Sequence, residues 1–131
     1  WLCMRAELQI MARQQRGSII NMASALSSRI YPGASFYVAS KFAVAGLTRT
    51  AAVEYATQNI RINAVCPGNV LTPLLEHTTT PEQLSGLASL HAMRRLGTAE
   101  EIAEAVLWLA SEKASFCSGT LLAADGGWTA S

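Results

Sequence analysis

The sequence predicts an α/β domain built on a parallel sheet that helices cover on both faces. Short apolar, β-branched runs, SIINMA at 18–23 and IRINAV at 60–65, alternate with longer segments whose apolar residues recur at helical spacing. The strand runs are nearly continuous in apolar character, as strands buried on both faces are. Each strand also runs straight into small or turn-forming residues: Ser24, Pro67-Gly68 and Asp125-Gly126. In a parallel sheet such positions share the carboxyl edge, where ligands gather.

The elements follow in order. WLCMRAELQIMARQQRG places Met4, Leu8, Met11 and Ala12 on one helical face, and Gly17 is the expected stop beyond the last turn. The chain opens with no initiator Met or signal peptide, and with no Ser, Thr, Asp or Asn ahead of Trp1 to cap that helix. It is therefore expected to start inside a helix, as the C-terminal portion of something longer. SALSSRIYPG at 24–33 is turn-rich. Ser35 is the expected cap of a long helix reaching about Gln58, with Phe42, Ala45 and Leu47 among its apolar positions. Pro67-Gly68 ends the second strand. TPEQ at 80–83 and TAEE at 98–101 are both capping-box patterns, the second followed by Ile102, Val106 and Leu109 at helical spacing. TLLAADGG at 120–127 is a last strand ending in a turn. No repeat, low-complexity tract or domain boundary interrupts the chain, so residues 1–131 belong to one domain.

Composition narrows the function. Half of the 131 residues are hydrophobic and the formal net charge is +1, which is ordinary for a globular domain. Ten Lys and Arg against nine Asp and Glu leave no basic footprint for nucleic acid or anionic lipid. No apolar run approaches the ~20 residues that span a bilayer. Cys3, Cys66 and Cys117 are odd in number, widely spaced and without a CxxC, which favours reduced thiols and a cytoplasmic setting. His77 and His91 have no partners at metal-ligand spacing, so no metal site is expected. Cys66 and Trp108 read as packing residues, and Glu100, Glu101 and Glu104 as a capped, solvated helix face.

The chemistry concentrates in SFYVASKFAVAG at 35–46, where Tyr37 and Lys41 lie one helical turn apart. A phenol ordinarily titrates at about 10, so base catalysis near neutrality needs roughly 4 kcal/mol of differential stabilisation of the phenolate. An adjacent ammonium supplies part of that, and the amino end of a helix adds about 0.3–1 kcal/mol. A lone Tyr/Lys pair at this spacing is a weak signal, and most such pairs are surface decoration. Ser24 sharpens the pairing, because it directly follows an apolar strand and its hydroxyl is suited to hold a substrate oxygen beside the phenol. A turn serine is the bland alternative. In NAVCPGNVLTP at 63–73, the irregular segment after Pro67-Gly68 offers backbone groups and the Thr72 hydroxyl to a carboxamide, or is an ordinary strand-to-loop turn.

Together, GSIINMAS, YVASK, NAVCPGNVLT, RRLGTAEEIAEAVLWLAS and LLAADGGW resemble the C-terminal half of a short-chain dehydrogenase/reductase over nearly the whole chain. The resemblance implies the C-terminal part of a Rossmann-type doubly wound sheet and hydride transfer between NAD or NADP and a small-molecule alcohol or carbonyl. It makes Tyr37 the general acid/base and Ser24 the holder of the substrate oxygen. Lys41 would stabilise the phenolate and contact the nicotinamide ribose. Pro67 and Gly68 would shape the turn that lets the Val70 backbone and Thr72 hold the nicotinamide carboxamide. The family's glycine-rich G-x-x-x-G-x-G loop is absent from these residues. That loop, the residue selecting NAD or NADP, and the asparagine of the catalytic tetrad are all expected upstream of Trp1.

Residues 74–96 fall where the family carries its substrate loop; Leu74, Leu75, Leu84 and Leu87 suit an apolar lid, and a plain helical hairpin suits them too. The resemblance further implies a homotetramer or dimer, using the first and Tyr-bearing helices at one interface and the tail after Gly127 at another. Two rivals stand beside the dehydrogenase. A non-catalytic scaffold has no need of the Ser-Tyr-Lys set, and a nucleotide-sugar epimerase fits poorly with the short ADGGW ending.

Overall fold

A computed structural model describes residues 1–130. Helix α1 (Leu2–Gln14) leads into strand β1 (Gly17–Met22), a 3-10 turn (Ala25–Ser27) and the long helix α2 (Ser35–Tyr55). A second 3-10 turn (Ala56–Gln58) precedes β2 (Ile60–Pro67), which is followed by α3 (Pro73–Thr78), α4 (Pro81–Ser89) and α5 (Ala99–Ala110). A last 3-10 turn (Glu112–Ala114) introduces β3 (Leu121–Ala124). The sheet order is β1-β2-β3, all parallel, with Gly17 beside Ile60 through Met22 beside Val65, and Ala64 beside Leu121 through Pro67 beside Ala124.

Central β2 shows why the strand runs carry no alternation. Its Ile60 and Ile62 pack with Met4, Leu8, Ile19, Ala51 and Ala52 under α1 and α2. On the opposite face Val65 meets Leu109 and Ala114, with Ile20, Ile102 and Leu122 packed around them. Both faces of the strand are buried, so both sets of side chains are apolar. The buried exception is Asn63, whose amide donates to the Cys117 carbonyl at 2.8 Å and whose oxygen accepts from the Thr120 N–H at 3.0 Å. It thereby aligns the segment that enters β3. Arg61 donates to the carbonyls of Leu109, Ala110 and Ser111, closing the carboxyl end of α5.

Several boundaries differ from expectation. Ser35 is the first helical residue rather than the cap; Ala34 occupies the cap position with φ −111° and no side-chain bond. The turn closed by the Ala34 N–H on the Tyr31 carbonyl, with Gly33 at φ +81°, delivers the chain into helical geometry one residue earlier. Capping needs an extended backbone that Ser35 does not have. Likewise α1 ends on Gln15 at φ 51°, its N–H bonded to the Met11 carbonyl, so the left-handed stop precedes Gly17. Gly17 opens β1 instead, where a Cβ would run into the Met11 side chain. Phe42 and Trp108, expected as packing residues, are each nearly half exposed because they lie on outward helix faces. Among the described residues no helix is long and apolar enough to cross a membrane.

Candidate active site

The register brings the ends of β1, β2 and β3 to one edge of the sheet. Ser24 lies two residues past β1, in extended conformation (φ −166°, ψ 159°), as the cap of the first 3-10 turn. Its hydroxyl oxygen accepts from the Leu26 N–H at 3.1 Å, and the Ser27 hydroxyl accepts from the Ser24 N–H at 3.2 Å. The Ser24 hydroxyl is thus used as an acceptor, and its own proton is left to donate. Cys66 lies beneath this turn. Burial pushes its thiol up, outweighing hydrogen bonds involving the Ser24 backbone and the Ser27 side chain, so it is a poor nucleophile.

Tyr37 is in the first turn of α2 and about half exposed. The Lys41 ammonium stands 5.5 Å from the Tyr37 ring centroid and donates to the Met22 carbonyl at 3.1 Å. Lysine therefore ties the tyrosine-bearing helix to the last residue of β1, two positions before Ser24. Among the described residues the Tyr37 hydroxyl bonds neither to Ser24 nor to any other group. The structure joins Tyr37 to Lys41 and Lys41 to the strand end, and leaves the phenol open to solvent.

Pro67 is the last residue of β2, and the Gly68 N–H continues the ladder to the Ala124 carbonyl at 3.2 Å. A Cβ on Gly68 would lie 2.6 Å from His91 Nε2 and 3.1 Å from the Asp125 Cα, so only glycine fits. Val70 forms a parallel bridge with Gly97: the Gly97 N–H donates to the Asn69 carbonyl at 3.0 Å, and the Leu71 N–H to the Gly97 carbonyl at 2.9 Å. In such a bridge the Val70 N–H and C=O point the other way, and among the described residues neither has a hydrogen-bond partner. Thr72 caps α3, accepting from the Leu75 N–H at 3.3 Å, with Pro73 at the first helical position. Two free backbone groups beside a threonine hydroxyl with a spare proton suit a carboxamide, which presents one acceptor and a two-proton donor. These residues fit the nicotinamide end of a dinucleotide.

Beyond this edge, residues 73–89 form two short helices, with Leu75, Leu84 and Leu87 half-buried and Leu74 exposed. Two residues of the neighbourhood were not legible as functional from the sequence: His91 and the carboxylate of Asp125. Both are buried. They line a cavity of about 330 Å³ together with Gly68, Asn69, Arg95 and Glu101. Arg95 grips Glu101 at 2.6 Å and 2.9 Å, and that hydrogen bonding holds the Glu101 carboxyl down at about 2. The D-G turn signal pointed to Asp125 as a bend, whereas nothing local marks His91.

A family profile described as enoyl-(acyl carrier protein) reductase matches residues 1–129. The chain belongs to the short-chain dehydrogenase/reductase family, and its sheet is the Rossmann-type sheet of that family. It is 43% identical, over 99% of its length, to 2,5-dichloro-2,5-cyclohexadiene-1,4-diol dehydrogenase of Sphingobium indicum, of which it covers 53%. It is 42% identical, over 96% of its length, to 2-(R)-hydroxypropyl-CoM dehydrogenase of Xanthobacter autotrophicus, of which it covers 51%. A solved structure of ElxO with NADP bound superposes with a TM-score of 0.92 at 34% identity, covering 98% of this chain and 53% of that one. The chain thus spans about half the length of the relatives it matches.

Proposed function

We propose that the protein is an NAD(P)-dependent oxidoreductase that interconverts a secondary alcohol and a ketone, with Tyr37 as the general acid/base. The observation carrying this is the position of the Lys41 ammonium, 5.5 Å from the Tyr37 ring and bonded to the Met22 carbonyl at the carboxyl edge of the sheet. The cation is thereby held on the same helical face as the phenol, at the sheet edge where ligands gather.

In the oxidation direction Ser24 donates to the substrate oxygen and Tyr37 takes the hydroxyl proton; in reduction Tyr37 returns it. The Val70 N–H and C=O and the Thr72 hydroxyl hold the carboxamide of the nicotinamide, with Pro67 and Gly68 setting the turn and Lys41 also reaching the ribose. The bound nicotinamide supplies the chemistry of accepting or returning a hydride at the carbinol carbon. Relatives named as dehydrogenases of a diol and of a hydroxypropyl compound support an alcohol as substrate.

Residues 74–96 form the substrate loop. The active species is the full-length protein, a cytoplasmic homotetramer or dimer, and residues 1–131 alone are inactive. Exposed Phe36 and Val53 on α2 support an interface on that helix.

The test is formation of NADH or NADPH by the full-length protein over a panel of secondary alcohols. Tyr37→Phe is expected to lower kcat by about 10²–10⁴-fold. Thermal unfolding should be unchanged, because the hydroxyl has no hydrogen-bond partner among the described residues. An undiminished rate removes Tyr37 as the base, and a full-length protein inert toward every alcohol with both cofactors favours the non-catalytic scaffold.

A further inference from the structure

His91 is only 2% exposed, yet both of its ring nitrogens are engaged by main-chain groups. Nδ1 lies 3.0 Å from the Leu87 carbonyl, and Nε2 accepts from the Asn69 N–H at 3.0 Å. A carbonyl only accepts and an amide only donates, so the neutral ring carries its proton on Nδ1. One face of the ring meets Trp128, centroid to centroid 5.5 Å. Asn69 and His91 are 22 residues apart, and everything between them is the loop and helix pair α3–α4. One side chain therefore ties together the two ends of the segment that carries α3 and α4.

The closure falls where it sets direction. Asn69 is gripped at both ends: its N–H by His91 and its carbonyl by the Gly97 N–H. The Asn69 carbonyl and the Val70 N–H belong to one planar trans peptide and point oppositely. Fixing the Asn69 backbone fixes where the Val70 N–H faces. The Gly97 grip alone leaves the Asn69 N–H, which belongs to the preceding peptide, without its acceptor in a half-buried setting.

We propose that His91 is a positioning residue for cofactor binding: through the Asn69 N–H it orients the free backbone groups of Val70 and pins the base of the α3–α4 pair to the segment that follows β2. This rests on the assignment of Val70 and Thr72 to the nicotinamide carboxamide.

The test compares His91→Gln with His91→Met in the full-length protein. The two side chains have nearly the same length and bulk, and Gln brings an oxygen to about the place of Nε2. The thioether of Met is a weak acceptor. With Met, hydrogen exchange at the Asn69 amide is expected to quicken about tenfold and the cofactor KM to rise about tenfold, while kcat moves less than about twofold. With Gln both quantities stay within about threefold of the parent. Should His91→Met fail to fold, His91→Asn, which keeps the donor toward Leu87 and lacks the acceptor, carries the same expectation.

Equal behaviour of the Gln and acceptor-lacking variants overturns the proposal and makes His91 a packing residue. Faster Asn69 exchange with an unchanged cofactor KM overturns its link to the cofactor. A parent protein that binds neither NAD nor NADP overturns the proposed function and this proposal with it; the Asn69 exchange contrast then distinguishes that outcome from a failure of His91 itself.

Discussion

Asp125 is a carboxylate used as a knot. Its Oδ1 accepts from the Gly127 N–H at 3.0 Å, and its Oδ2 from the N–H and hydroxyl of Thr129 at 2.9 Å and 2.6 Å. Gly126 and Gly127, at φ +58° and +81°, let the chain fold back tightly enough for this. Burial alone would push the Asp125 carboxyl up; the Thr129 hydroxyl and the backbone amides of Thr129 and Gly127 outweigh it, so the folded value lies below the ordinary one. Stability from such a group is complete above about pH 4 and is lost as the pH falls through the depressed folded value. Asp125→Asn is expected to cost about 1.5–3 kcal/mol near neutrality, since an amide presents a donor where Thr129 also donates. In urea unfolding that deficit should shrink as the pH falls below about 4, where the parent's own carboxylate protonates; a deficit independent of pH would deny the charge its role. The sequence showed the bend at Asp125-Gly126 because D-G chemistry is local, and Tyr37 with Lys41 because one helical turn is local. The partners of Asp125 lie within four residues of it, whereas those of His91 were illegible, since the chain must fold before Asn69 and Trp128 can reach its ring.

At the scale of the element, the helix starts carry their own instructions. In α4 the Thr80 oxygen accepts from the Gln83 N–H and the Gln83 side chain accepts from the Thr80 N–H. Thr98 and Glu101 repeat the exchange in α5, with bond lengths of 3.3 Å and 2.9 Å. Both boxes were visible in the sequence because every participant lies within one turn. Thr72-Pro73 carries the same cap-then-proline signal and starts α3, so the irregular segment expected around Thr72 ends there and the helical-hairpin alternative for 74–96 begins. Ser35 shows the converse: the right residue type one position too late, displaced by the turn before it. Thr98→Ala should destabilise the protein by about 1 kcal/mol in chemical denaturation. Arg95→Ala should cost less, because the Arg95–Glu101 pair is solvent-exposed and screened by water. The opposite ranking would mean that the ion pair, rather than the cap, holds the start of α5.

For the whole molecule, the alternation of strands and helices was enough to foresee a parallel sheet, because only crossover connections join such strands. The two open flanks were not foreseeable from periodicity, which reports burial of a face and is silent on what lies beside an edge. Among the described residues β1 and β3 each pair with β2 alone, so each leaves one row of backbone groups without a strand beside it. Around them Trp1, Leu2, Phe36 and Val53 are more than half exposed on α1 and α2, as are Leu107 and Phe116 on the opposite side. Unpaired edges and broad apolar patches both drive association. Residues 1–131 produced alone are therefore expected to self-associate heterogeneously in sedimentation velocity and to give no NAD or NADP reduction with any alcohol. The full-length protein should sediment as one discrete oligomer. In hydrogen exchange, amides of β1 should be protected in the full-length protein and open in the shorter polypeptide, while β2, paired on both sides, stays protected in each. A shorter polypeptide that sediments as a stable monomer with β1 protected would show that this edge needs no neighbour, and the apolar faces of α1 and α2 would then have to be explained by some means other than assembly.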